Sequence, residues 1–146
     1  SHQYYNGAGG NLVEAAVTAG GMGVEPWAFL AKLLFTAVTL GAGFRGGEIV
    51  PTFACGATFG CVAAPFLGLS PSFGGAVGMV ATFCGVTNCP LSSILLAYEL
   101  FGGDGLPLYA LAIAVAYRLS GYSGLYSEQQ IIYSKRVPRE IDRKAE

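Results

Sequence analysis

From Ile49 through Tyr98, fifty consecutive residues pass without one Asp, Glu, Lys or Arg. A soluble surface of that length would carry ionised side chains, so the segment must face lipid or other protein. Composition agrees with this reading. The chain is 53% hydrophobic and 12% charged, where a soluble domain carries about 25% charged residues. Its 22 glycines are about twice the usual share, as in membrane helices that approach each other backbone to backbone. A net charge of −1 lacks the basic excess that a nucleic-acid partner requires.

Proline and glycine punctuate the apolar sequence into short pieces. Residues 1–11 read as a Gly/Asn-rich loop. A short helix follows, capped by Asn11 with Glu14 at its third position, and the glycines at 20–23 end it. Pro26 opens an apolar helix over about 27–40, with Trp27 as an interfacial anchor. Lys32 is its only charge and is expected to snorkel outward. After Pro51 the apolar stretch runs to about residue 69, with Pro65 kinking or ending it. Gly56, Gly60 and Ala64 form one stripe of small residues for close helix contact, and Gly74, Gly78 and Thr82 form a second. Pro90 suits the first turn of a helix ending near Phe101, residues 102–105 make a turn, and Pro107 begins a last helix to about Leu119.

These lengths decide the fold class. Helices over 91–101 and 108–119 are too short to cross about 30 Å of hydrocarbon, which needs roughly 20 residues. Short, interrupted helices persist at membrane depth only where protein or a water-filled cavity covers their ends. They are the usual pointer to a transport site near the midplane. The expected fold is therefore all-α and membrane-embedded, with short, tilted and broken helices.

The remaining features are plainer. The opening residues have neither the basic nor the apolar region of a signal peptide and read as the middle of something longer. Cys55, Cys61, Cys84 and Cys89 have spacings that do not fit a zinc site, and they read as buried small hydrophobes. No metal or cofactor is expected. His2 stands alone in a loop, and no nucleophile–base pair is legible, so an enzyme is not expected. Residues 1–133 read as the membrane part and 134–146 as a charged tail. That tail carries Lys135, Arg136, Arg139, Arg143 and Lys144, five of the eight basic residues, which the positive-inside rule places in the cytoplasm.

The chain is organised around Gly46-Gly47-Glu48-Ile49-Val50-Pro51. Gly46 and Gly47 permit a sharp turn, and Pro51 is tolerated in a helix's first turn. The amides of Glu48, Ile49 and Val50 are then free at the helix's positive end, a ready anion site. The plain alternative is an ordinary Gly-Pro helix start. For the Glu48 side chain the expected role is a cap that pairs with Arg45, the other possibility being a carboxylate that competes with a permeating anion.

Taken together, these residues resemble the CLC family of chloride channels and proton-coupled anion antiporters. Three stretches carry the resemblance: residues 43–51, which look like the family's G-x-F-x-P helix start; Thr87-Asn88-Cys89-Pro90-Leu91 on to Glu99, which look like the loop and helix that follow; and Ser123-Gly124-Leu125-Tyr126-Ser127, similar to the segment with the pore tyrosine. Ile49 and Glu48 depart from the motif, which often has Phe and an apolar residue there. The resemblance implies the second of two inverted halves of a subunit, with the N-terminal half absent, and a likeness to homodimers with one pore per subunit. The helices over 91–119 would contribute to the dimer contact. It further implies that the backbone amides of Glu48 and Ile49 and the Tyr126 hydroxyl hold chloride or another small anion. Channel, proton-coupled exchanger and fluoride-selective relative all remain open, as does a different secondary transporter that binds an anionic metabolite at a broken helix. For Tyr126 the plain alternative is an interface-belt aromatic.

Overall fold

Proline and glycine do set the helix limits. In the computed structural model the described residues are 10–18, 26–43, 46–126, 128–135 and 140–144, the last four of these by backbone alone. Six α-helices follow in order: α1 (Gly10–Thr18), α2 (Ala28–Gly41), α3 (Ile49–Ala63), α4 (Pro71–Thr87), α5 (Pro90–Phe101) and α6 (Leu106–Leu119). Two strands close the chain, β1 (Gln130–Tyr133) and β2 (Glu140–Lys144). The residues divide into two compact units, Ser1–Met79 and Val80–Glu146, with the division inside α4. Each is described by itself.

In the first unit, α1 and α2 both lie against α3. Leu12, Ala28 and Ala54 form a buried apolar cluster, with Val13 at its edge. Phe29 meets Phe59 edge to face at 5.5 Å, a geometry that the ring quadrupoles favour. The Cys61 thiol donates to the carbonyls of Ala16 (3.0 Å) and Pro71 (3.1 Å), and the Ser72 hydroxyl donates to the Val17 carbonyl. Asn11 is the second residue of α1 rather than its cap, because the helix already includes Gly10.

The two small-residue stripes meet each other. A Cβ on Gly74 would lie 2.6 Å from the Gly60 carbonyl oxygen, and one on Gly75 would lie 2.9 Å from the Cys61 sulfur. In lipid, water supplies no hydrophobic drive between helices, so such backbone approach supplies the association energy. α3 ends at Ala63 and tightens into a 3₁₀ turn, Ala64–Leu67, which Gly68 stops at φ 70°. The Gly68 and Leu69 amides bond back to Pro65 (3.2 Å) and Ala64 (3.0 Å). Pro65 thus marks the change from α to 3₁₀ geometry. Ile49–Leu67, 19 residues of mean hydropathy 1.6, is the one apolar helical stretch among the described residues long enough to cross a membrane. The short, broken helices expected from the sequence are what the other segments show.

In the second unit, α5 and α6 lie together, joined through residues 102–105. Gly102 and Gly105 hold φ 77° and 85°, conformations that favour glycine. Phe101 stacks on Tyr109 at 5.7 Å, beside the buried Ala97, Tyr109 and Ile113. After α6 the chain makes an irregular loop into β1, which pairs antiparallel with β2 in the register Gln130↔Lys144, Ile131↔Arg143 and Tyr133↔Glu140. This strand pair is an addition to the all-helical expectation. Its sequence signal is Ile131-Ile132-Tyr133, the β-branched and aromatic residues that suit a pleated surface.

Candidate functional site

The start of α3 is built by its sequence, but not quite as expected. Gly46 and Gly47 are exposed, take no left-handed angle, and a Cβ on either would meet nothing described within 4 Å. The left-handed residue is Gly43, at φ 85°. Among the described residues between α2 and α3, the left-handed angle thus lies just past the end of α2 and not at Gly46 or Gly47.

Glu48 occupies the N-cap position at φ −82° and ψ −16°, with no side-chain capping bond. The backbone angles are already helical, so the carboxylate is not carried round to its own helix's amides as a cap requires. That corrects the capping expectation, while Arg45, its expected partner, lies outside the described residues. The Glu48 carbonyl accepts from the Thr52 amide (3.2 Å) and the Thr52 hydroxyl (2.8 Å). Thr52 is thus the first residue of α3 whose amide is used internally. Among the described residues, no backbone carbonyl accepts from the amides of Glu48, Ile49 or Val50. Glu48 and Ile49 are half-buried, and the helix dipole adds partial positive charge at this point.

Tyr126 lies in the second unit, in the loop after α6. The Leu125 amide before it donates to the Val86 carbonyl at 2.7 Å, and the Tyr126 carbonyl accepts from the Gln129 amide at 3.0 Å. Its side chain is exposed, and among the described residues its hydroxyl has no partner. Tyr122, by contrast, shares a 2.8 Å hydrogen bond with the Ser134 hydroxyl. An open groove of about 540 Å³ runs beside this loop, lined by Val86, Ala116, Leu119, Ser123 and Leu125 among others. The amide pair at 48–49 and the tyrosine belong to different units, and each is placed within its own. Ser127, also in the quoted tyrosine motif, lies outside the described residues, as do His2 and the glycines at 20–23.

The structure adds residues that sequence reasoning missed. Lys32 is buried, 3% exposed, rather than snorkelling outward. The signal was present, because a lone charge in an apolar helix ordinarily faces protein and not lipid. Asn88 stands at φ 55° between α4 and α5, and its side chain joins Ser120, Ser123 and Lys135. The Lys135 ammonium also donates to the Ser120 hydroxyl (3.0 Å) and lies 4.1 Å from the centre of the Tyr117 ring. Burial pushes the Lys135 pKa below the ordinary lysine value. All four cysteines are free thiols, Cys61 and Cys84 buried, and Cys55 and Cys89 half-buried. Among the described residues no three His, Cys, Asp or Glu side chains gather as a metal site would require. The sequence-predicted site residues thus offer neutral donors: backbone amides at a helix start, and a phenolic hydroxyl.

Known proteins are similar to this chain. A family model described as voltage gated chloride channel matches residues 2–121. A chloride/fluoride channel protein of Pseudomonas syringae pv. tomato is 44% identical over 123 residues, covering 82% of this chain and 27% of the relative. An uncharacterized protein of Methanocaldococcus jannaschii is 28% identical over 91 residues, covering 62% of this chain and 23% of the relative. Among solved structures, that of a CLC-type fluoride/proton antiporter is similar with a TM-score of 0.75 and 35% identity, over 80% of this chain and 29% of the other. The chain therefore spans about a quarter of the length of these relatives.

Proposed function

The chain belongs to the voltage gated chloride channel family, and from that premise we propose that it forms part of a membrane pathway for small inorganic anions, chloride or fluoride. The observation that carries this reading is the start of α3. There the amides of Glu48, Ile49 and Val50 have no carbonyl partner among the described residues, at the head of the long apolar stretch. Amides at a helix N-terminus attract an anion without a full positive charge. Conduction needs binding favourable enough to admit the ion and weak enough to release it. Tyr126 supplies a further neutral donor in this proposal, through its hydroxyl.

The substrate class rests on the relatives, one described as a chloride/fluoride channel and one as a fluoride/proton antiporter. The rest of the subunit, with the inverted half, completes the pathway, and the bilayer covers the exposed Leu33, Leu34, Phe35 and Val38 of α2. A second subunit is the proposed cover for part of α5 and α6, where Leu91, Leu95, Leu111 and Leu119 are exposed. In this proposal the end after 134 is cytoplasmic, a reading its basic residues support through the positive-inside rule. No reaction chemistry is assigned to the chain.

The test is flux. The full-length protein that carries this chain, reconstituted in liposomes, should release chloride or fluoride above the rate of empty vesicles, read with ion-selective electrodes. A pH electrode in the same vesicles separates coupled exchange from a channel. Residues 1–146 alone should release neither ion, because their short helices need cover for their ends. Absence of flux from the full-length protein overturns the proposal.

A further inference from the structure

The segment from Ser120 to Lys135, which carries Tyr126 and β1, is tied at three levels. Toward its middle, the Leu125 amide bonds to Val86 at 2.7 Å, and the Ser123 carbonyl accepts from the Asn88 side-chain amide at 2.8 Å. Nearer its ends, Tyr122 and Ser134 share a hydrogen bond through their hydroxyls at 2.8 Å. At its base, Lys135 donates to both the Asn88 side-chain oxygen and the Ser120 hydroxyl. Ser120 and Lys135 are therefore held together, as are the close ends of a compact surface loop.

Asn88 takes part in two of these three levels, through Ser123 and through Lys135. Its backbone is left-handed, φ 55°, which asparagine tolerates better than most residues. Its own amide closes α4 on the Cys84 carbonyl at 2.9 Å. The side chain is both donor and acceptor: Nδ2 holds Ser123, while Oδ1 accepts from Ser120 at 3.3 Å and from Lys135. It is also buried, where a lost partner costs more than it does in water. Lys135 in turn rests over the Tyr117 ring, a cation–π contact that favours its charge at the C-terminal end of α6.

We propose that Asn88 and Lys135 are positioning residues for Tyr126, fixing the loop so that the tyrosine hydroxyl is presented at one place. The proposal rests on the reading that this hydroxyl binds the anion, and the experiment separates the two. The full-length protein, in detergent, is titrated with sodium fluoride and separately with sodium chloride by calorimetry, as wild type, Tyr126→Phe, Lys135→Met, Lys135→Arg and the double variant Lys135→Met/Tyr126→Phe. Tyr126→Phe should weaken the better-bound anion by about tenfold or more. Lys135→Met should weaken it comparably, Lys135→Arg should restore most of the loss, and the double variant should be no weaker than Tyr126→Phe.

A merely structural lysine would instead give losses that multiply in the double variant, and that result overturns the proposal. So does a silent Lys135→Met beside a damaging Tyr126→Phe. A silent Tyr126→Phe overturns the underlying reading, and the proposal falls with it. If Lys135→Met shows no thermal unfolding transition, Asn88→Asp replaces it. That variant keeps the acceptor for Lys135 and loses the donor to Ser123, and it must show the same non-additivity with Tyr126→Phe.

Discussion

Gly60 and Gly78 meet across α3 and α4 so closely that a Cβ on Gly78 would lie 2.9 Å from the Gly60 Cα and 3.1 Å from its nitrogen. Neither backbone can retreat without opening the rest of the crossing. Alanine at either position should therefore destabilise the protein by about 1–3 kcal/mol, the usual cost of overpacking. Gly85 lies on the same helix α4, and a Cβ there meets nothing among the described residues within 4 Å. Gly85→Ala should be neutral or stabilising by up to about 1 kcal/mol, through helix propensity. Thermal unfolding of the full-length protein in detergent checks both. Equal shifts for Gly78→Ala and Gly85→Ala would refute the crossing.

Ile49 is the first residue of α3, the position where proline is best tolerated because its missing amide hydrogen is not used internally. Ile49→Pro should thus keep the helix and remove one donor from the proposed anion site. Anion affinity should fall for Ile49→Pro and stay nearly intact for Ile49→Leu, as measured by titration calorimetry. Matching affinities would remove the backbone amide from the mechanism.

Tyr126→Phe deletes only a hydroxyl with no partner among the described residues, so folding should be unaffected. Anion binding should weaken by about 1.5–3 kcal/mol, the range for hydrogen bonds to charged groups. Tyr122 makes a poor control because its hydroxyl is bonded to Ser134. Tyr133, exposed on β1, is the better one. Comparable damage from Tyr133→Phe would show that the wrong tyrosine carries the role.

Glu48 is the only acidic residue between Glu25 and Glu99. With no capping bond to lose, Glu48→Gln should change stability by less than about 0.5 kcal/mol. Its effect on binding should be larger. In the proposed site the Glu48 charge repels an anion held on the neighbouring amides, so Glu48→Gln should raise anion affinity. Calorimetric titration of the two proteins measures this, and unchanged affinity would put the carboxylate away from the ion.

The helices were legible because their limits are written in single residues. Pro90 and Phe101 bound α5 as expected, Pro107 falls in the first turn of α6, and the stripes at 56/60/64 and 74/78 meet as their spacing implies. Such signals are local, fixed by the backbone geometry that proline and glycine allow. The Asn88–Lys135 tie was not legible, since it joins residues 47 apart and neither carries a periodic pattern. Gly43 took the left-handed angle expected of Gly46 and Gly47, because composition marks a turn without saying which glycine adopts it. Lys32 was misread for another reason: snorkelling suits a helix end, whereas the fifth residue of α2 is turned toward protein.

Proline stands first in α4 and α5, second in α6, and third in α3. In the first two it removes a donor that would otherwise need solvating; in α3 it leaves two helical amides in place ahead of it and ends the series there. The valence that this helix start would offer an ion in the proposed pathway is therefore capped by the register of one imino acid. Such a ligand set would replace only part of a hydration shell, so the ion's remaining coordination would come from other segments. A hold divided among segments can be released in steps, one contact at a time, which full enclosure by a single helix end would not permit.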